Sequence, residues 1–136
     1  MSIIVTDTGF AADDWTGPFQ VLDDSLPDAA GYAVDLPSDT DPATLARLTN
    51  APMIRIDFPS FADGRGFTLA AMLRRAGFQG RLRARGHVLA DQYAMARRSG
   101  FDEVEIDDAM AERQPQDQWL ARADWQQNHY QARLRG

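Results

Sequence analysis

The chain has 136 residues, a formal net charge of −6 and no cysteine. That length suits one domain around a single core, and the missing thiols exclude disulfides, cysteine nucleophiles and iron–sulfur ligation. The acidic balance argues against nonspecific nucleic-acid binding. No apolar run approaches the roughly 18 residues of a membrane span and no charged, apolar leader opens the chain, so a cytoplasmic location is expected.

Charge is spread unevenly. Residues 1–50 carry nine acids and one arginine, residues 51–100 three acids and nine arginines, and residues 101–136 eight acids and four arginines. All fourteen basic residues are arginine, whose planar guanidinium meets carboxylates and oxyanions in bidentate fashion. The basic middle therefore either pairs with its acidic flanks or offers an anion site. Pairing is the simpler reading.

In chain order, Ile3–Val5 and Phe19–Leu22 read as short strands of an N-terminal hairpin or lid around a Gly/Asp-rich turn region. Tyr32–Leu36 is a better strand, ended by Pro37. Asp41-Pro42 has the form of an N-cap and first helical residue, and the short helix it opens runs through Leu48. Asn50 and Pro52 stop it. Met53–Phe58 is the next strand, followed by a helix over Phe67–Ala76, a strand over Arg81–Arg85, a helix over Val88–Ser99 and a strand over Glu103–Ile106. Each of the two longer helices ends in Gly-Phe (Gly77-Phe78 and Gly100-Phe101), where a left-handed glycine stops the helix and the phenylalanine packs back. Such short links predict parallel βα units with the four strands adjacent in chain order.

After Pro115 a last helix places Trp119, Leu120, Ala123, Gln127, Tyr130 and Leu134 on one arc. Trp125 falls on the other side with Ala121 and Ala132. A tryptophan there is a candidate anchor for a homodimer or a docking partner, unless a loop such as Asp7–Gly17 covers it.

The four central strands alternate. Val34, Ile54, Ile56, Leu82, Ala84, Val104 and Ile106 take one face; Asp35, Arg55, Asp57, Arg81, Arg83, Arg85, Glu103 and Glu105 take the other. A doubly wound sheet, covered on both sides, has continuous apolar strands instead. The expectation is thus an α/β domain of parallel βα units resembling part of a βα barrel, with helices mainly on one face, a short N-terminal β element and a C-terminal helix. The charged face is either an internal salt-bridge lattice or a surface for ligand or assembly.

Sites in such folds gather beyond the carboxyl ends of the strands. The loop there ahead of the first long helix holds Asp63, Gly64, Arg65 and Gly66. Its glycines could turn backbone N–H groups outward, and a helix N-terminus and Arg65 add positive charge, so sulfite, sulfate or phosphate is a candidate ligand. An ordinary capped turn explains the same residues. Arg85 and His87 lie at the end of the next strand, and the expectation is one electropositive pocket bordered by Asp63–Gly66, Arg85 and His87. Asp57 and Asp91 are secondary candidates. Two histidines in the chain make a histidine-rich metal site improbable, and no Gly-x-Ser-x-Gly elbow is present.

The string Phe58-Pro59-Ser60-Phe61-Ala62-Asp63-Gly64-Arg65-Gly66-Phe67, with Leu82-Arg83-Ala84, Gly86, Val88-Leu89, Asp91-Gln92, Arg97-Arg98 and Gly100-Phe101-Asp102, resembles a bacterial domain-of-unknown-function family. Its members are commonly labelled oxidoreductases of sulfite reduction, and the resemblance spans about residues 30–110. It implies a place in assimilatory sulfur metabolism beside a sulfite reductase, with no catalytic activity established. Two positions depart from the family: His87 stands where an acid is usual, and Ala90 where an arginine is common. A redox role needs an electron carrier, and this chain has neither cysteine for iron–sulfur nor a G-x-G-x-x-G dinucleotide fingerprint. The expectation is an accessory protein that binds a small oxyanion or a partner. The alternative is a small oxidoreductase with a non-covalently held flavin or a borrowed cofactor.

Overall fold

A computed structural model describes residues 2–21 and 32–125. Seven strands, β1 (Ser2–Thr6), β2 (Gly9–Ala12), β3 (Phe19–Val21), β4 (Ala33–Leu36), β5 (Met53–Phe58), β6 (Arg81–Gly86) and β7 (Glu103–Asp107), form one sheet. Their spatial order is β2-β1-β7-β6-β5-β4-β3. Strands β3 to β7 are parallel, so the four central strands are adjacent in chain order, as the alternation and short links require. β1 joins β7 antiparallel and pairs back with β2.

Register sorts the side chains by face. Val34, Ile54 and Leu82 align across neighbouring strands, as do Leu36, Ile56, Ala84 and Val104. They share one core with Leu45 and Leu48 of a 3-10 helix (Pro42–Leu48) and with the buried residues of four α-helices. Those helices are α1 (Arg65–Arg75), α2 (Tyr93–Ser99), α3 (Asp108–Arg113) and α4 (Gln116–Leu120). α1 begins two residues earlier than its apolar periodicity suggests. The helix expected from Val88 instead opens with a 3-10 turn, Ala90–Gln92, in which Leu89 N–H donates to the Gln92 side chain at 2.8 Å. Gly77 and Gly100 adopt φ of +104° and +115°, and the following Phe78 and Phe101 donate back to Leu73 and Ala96, each at 3.0 Å. Both helix ends thus close in the six-to-one hydrogen bond that a left-handed glycine allows.

The N-terminus departs from expectation. Ile3–Val5 and Phe19–Leu22 do not form a hairpin with each other: β1 pairs with β2, and β3 lies at the opposite edge of the sheet beside β4. Leu22 falls outside the described residues. The chain between β2 and β3 therefore crosses the charged face as a strap. Its acids explain the path. Asp13 binds the Arg83 guanidinium at 3.0 and 3.2 Å, Asp14 binds Arg81 at 2.5 Å, and Phe19 covers Arg55 with 3.7 Å between guanidinium carbon and ring centre.

Beneath the strap the charged face is an ion-pair lattice. Arg83, fully buried, meets Glu103 at 2.5 Å and Glu105 at 2.8 Å. Arg55 makes a bidentate pair with Asp35 at 2.6 and 2.8 Å and reaches Glu105 at 3.0 Å. A buried guanidinium without such partners would lose its hydration with nothing in return, so the pairs are what let charged residues occupy this side of the sheet.

Other polar contacts close the ends. Gln116 of α4 accepts from Phe10 N–H of the edge strand β2 at 2.7 Å, which occupies a donor otherwise open to strand pairing. Tyr93, buried, donates its hydroxyl to Asp7 at 2.5 Å. Burial and the Asp7 carboxylate push its phenol well above the ordinary range. Trp125 sits on this same cluster, its ring 4.8 Å from the Arg97 guanidinium and its indole N–H 3.5 Å from Asp7. The expected anchor for a partner is thus half-buried against its own chain. Trp119 is buried, Leu120 is exposed, and Gln127, Tyr130, Ala132 and Leu134 lie outside the described residues. No described helix is long and apolar enough to cross a membrane.

Candidate functional site

The parallel strands β5, β6 and β7 end beside one another, and a cavity of about 340 Å3 opens there, toward the charged face. Asp57, Arg85 and His87 line it together with Arg113 and Asp107. A second cavity of about 210 Å3 adjoins it, with Asp57 and Arg85 common to both and Val21, Leu36 and Pro37 on its apolar side.

Two backbone features build this corner. Gly86 ends β6 with φ of +106°, and a side chain there would fall 2.8 Å from the Phe58 carbonyl oxygen. That close approach lets His87 N–H donate to the same carbonyl at 3.0 Å, tying the end of β6 to β5. His87 Nδ1 also lies 3.2 Å from the Phe58 oxygen. A carbonyl only accepts, so Nδ1 carries the proton in this contact and Nε2 is left for another partner. The Phe61 ring meets the imidazole edge-on at 4.9 Å, and the Phe61 carbonyl accepts from Gln92 at 3.2 Å. The histidine ring is fixed from two sides.

The charges of the cavity are not equally committed. Glu105 already takes Arg55, Arg83, Arg85 and the Ser2 hydroxyl. Asp107 caps α3 by accepting from Met110 N–H at 2.8 Å. Arg85 is half-exposed and touches Glu105 only at 3.5 Å. Arg113 and Asp57 make no hydrogen bond or ion pair with the described residues. Among the described residues this leaves one cation and one carboxylate unpaired, Arg113 and Asp57, with Arg85 held only by the 3.5 Å contact and His87 Nε2 without a partner.

The Asp63–Gly66 loop belongs elsewhere. Arg65 lines a separate depression with Ser38, Thr40 and Met72, so the structure brings together Arg85, His87 and Asp57 but not Arg65. Arg65 is engaged internally: its guanidinium pairs with Asp63 at 3.0 and 2.8 Å and reaches the Ser38 hydroxyl at 3.1 Å. The Arg65 side chain, its backbone N–H and Ser38 hold the Asp63 carboxyl far below the ordinary range. Gly66 faces inward. A Cβ there would lie 2.4 Å from the Phe58 ring, so this glycine serves the close approach of α1 to β5. Gly64 has open space around it. Asp91 is exposed and pairs with Arg122 at 2.9 Å, away from His87. Among the described residues no group of three or more histidines or acids is placed to hold a metal ion.

Arg113 escaped the sequence reading. It lies six residues beyond Asp107, and the signal was there: Asp107 as N-cap starts a helix at the carboxyl end of β7, and its last turn returns over the same strand ends.

Residues 33–136 match a family described as a bacterial protein of unknown function (DUF934), and the chain belongs to that family. No curated protein and no solved structure matches.

Proposed function

We propose that this protein is an accessory of assimilatory sulfur metabolism that binds a small sulfur oxyanion at the carboxyl ends of β5, β6 and β7. The observation that carries the reading is the cavity of about 340 Å3 on which Arg85, His87 and Arg113 converge, with Arg113 unpaired among the described residues. Guanidinium groups not already spent on carboxylates are the natural ligands of a tetrahedral oxyanion. The sulfur assignment comes from the motif resemblance, in which F-x-D-G-R-G and G-x-V-L-x-D-Q carry the weight. A sulfite reductase is the partner that resemblance implies.

The reading is tested by titrating sulfite, sulfate and phosphate into the purified protein. Saturable binding is expected, weakened about tenfold or more by Arg113→Ala, the loss of one charged hydrogen bond. No saturable binding of any of the three anions would overturn it. An absorbance spectrum of the same sample addresses the oxidoreductase alternative, because bound flavin would colour it yellow. Slow growth of a deletion strain on sulfate, restored by cysteine, is the expected physiological result.

A further inference from the structure

The cavity holds more room and more chemistry than a bare oxyanion uses. At about 340 Å3 it falls within the lower range of small-molecule sites, roughly 300–1,000 Å3. Its cations, Arg85 and Arg113, share the walls with one acid, Asp57, that has no hydrogen-bond or ion-pair partner among the described residues. Asp57 is paired in register with Arg85 across the sheet, yet Arg85 turns to Glu105 on the other neighbouring strand, at 3.5 Å. The other acids of the cavity are spent: Glu105 holds the arginines of the lattice and Asp107 caps α3. Asp57 also stands where this cavity meets its apolar neighbour, beside Leu36 and Pro37.

From this pattern we infer that the ligand is a small zwitterion, an alkyl oxyanion that also carries an ammonium group. Its oxyanion lies against Arg85, His87 and Arg113, its ammonium on Asp57, and its short carbon chain between them. A carboxylate without a partner in an anion site weakens, without abolishing, the binding of a bare anion and favours a ligand that brings its own cation. This inference rests on the oxyanion reading and names the ligand class of the same site.

The test compares three probes in equilibrium titrations: inorganic sulfate, ethanesulfonate and 2-aminoethanesulfonate. The two sulfonates differ only in the ammonium group. The aminosulfonate should bind the parent protein about tenfold more tightly than ethanesulfonate. Asp57→Asn should erase that difference while leaving ethanesulfonate bound at least as well as before. Circular dichroism and thermal melting on the same variant check that it is folded. Equal affinity of the two sulfonates in the parent would overturn the zwitterion and leave the oxyanion reading standing. A preference for the aminosulfonate that survives in Asp57→Asn would also overturn it, because the ammonium would then sit elsewhere. Failure of all three probes to bind would remove the oxyanion reading itself.

Discussion

Asp13 reaches the Arg83 guanidinium across seventy positions of sequence, at 3.0 and 3.2 Å, and completes the set of carboxylates around a side chain with no exposed surface. Glu103 and Glu105 supply the others, from the adjoining strand. The sheet could not bury this arginine without them. Replacing Arg83 by Met should therefore leave two buried carboxylates without their main cation and cost about 3–5 kcal/mol. Asp13→Asn removes only the outermost partner and should cost about 1–2 kcal/mol. Urea unfolding of both variants measures the pair; equal costs would mean the strap, not the lattice, dominates.

Acid should loosen the strap before the rest of the fold. Partial burial raises the Asp13 carboxyl, but the hydrogen bonds from Arg83 and from Trp15 N–H outweigh it, so its folded-state pKa lies below the ordinary value. A lowered pKa means that the contribution is complete above the unfolded-state value of about 3.9 and is lost as pH falls through the folded one. Asp7 behaves alike: burial raises it, and Arg97 and Tyr93 more than reverse the effect. Stability should thus fall from about pH 5 downward, and Asp13→Asn should flatten that fall. Thermal melts across this window decide it, and an unchanged slope in the variant would contradict the assignment.

Two neighbouring glycines should respond in opposite ways. Gly66→Ala drives a methyl group to 2.4 Å from the Phe58 ring and should cost about 1–3 kcal/mol of overpacking. Gly64→Ala meets nothing within 4 Å, at φ of −91°, and should be neutral within about 0.5 kcal/mol or slightly stabilising. Denaturant midpoints of the two variants suffice. A neutral Gly66→Ala would refute the packing role.

Arg65 and Arg113 should likewise separate. Arg65 is already paired with Asp63 and lies on a different depression, so Arg65→Ala should leave oxyanion affinity unchanged. Arg113→Ala should lower it about tenfold, as one charged hydrogen bond is lost. The reverse ranking would return the site to the glycine loop.

Much of this architecture was legible because alternation is local. Arg55 and Asp57 against Ile54, Ile56 and Phe58 identify a strand with one charged face whatever lies around it. Gly77 and Gly100 mark the helix ends by backbone chemistry alone. The strap was not legible, because Asp13 and Asp14 look like any exposed acids until Arg83 and Arg81 lie beneath them. β3 has only three residues, and its partner is set by the sheet rather than by its own pattern. Arg85, His87 and Asp57 share one cavity because the ends of neighbouring parallel strands gather, which strand order alone foretells. The packing role of Gly66 against Phe58 was not legible, because a glycine that admits an aromatic ring and one that frees an N–H look identical in sequence. Arg113 required knowing that α3 folds back over β7.

The most direct test of the oxyanion site is the position of a bound anion. Crystals grown with selenate, at a concentration that saturates the protein in solution, should show an anomalous selenium peak within hydrogen-bond reach of Arg85, His87 and Arg113. A peak found only beside Arg65 and Ser38, or no ordered selenium at all under saturating conditions, would contradict the site.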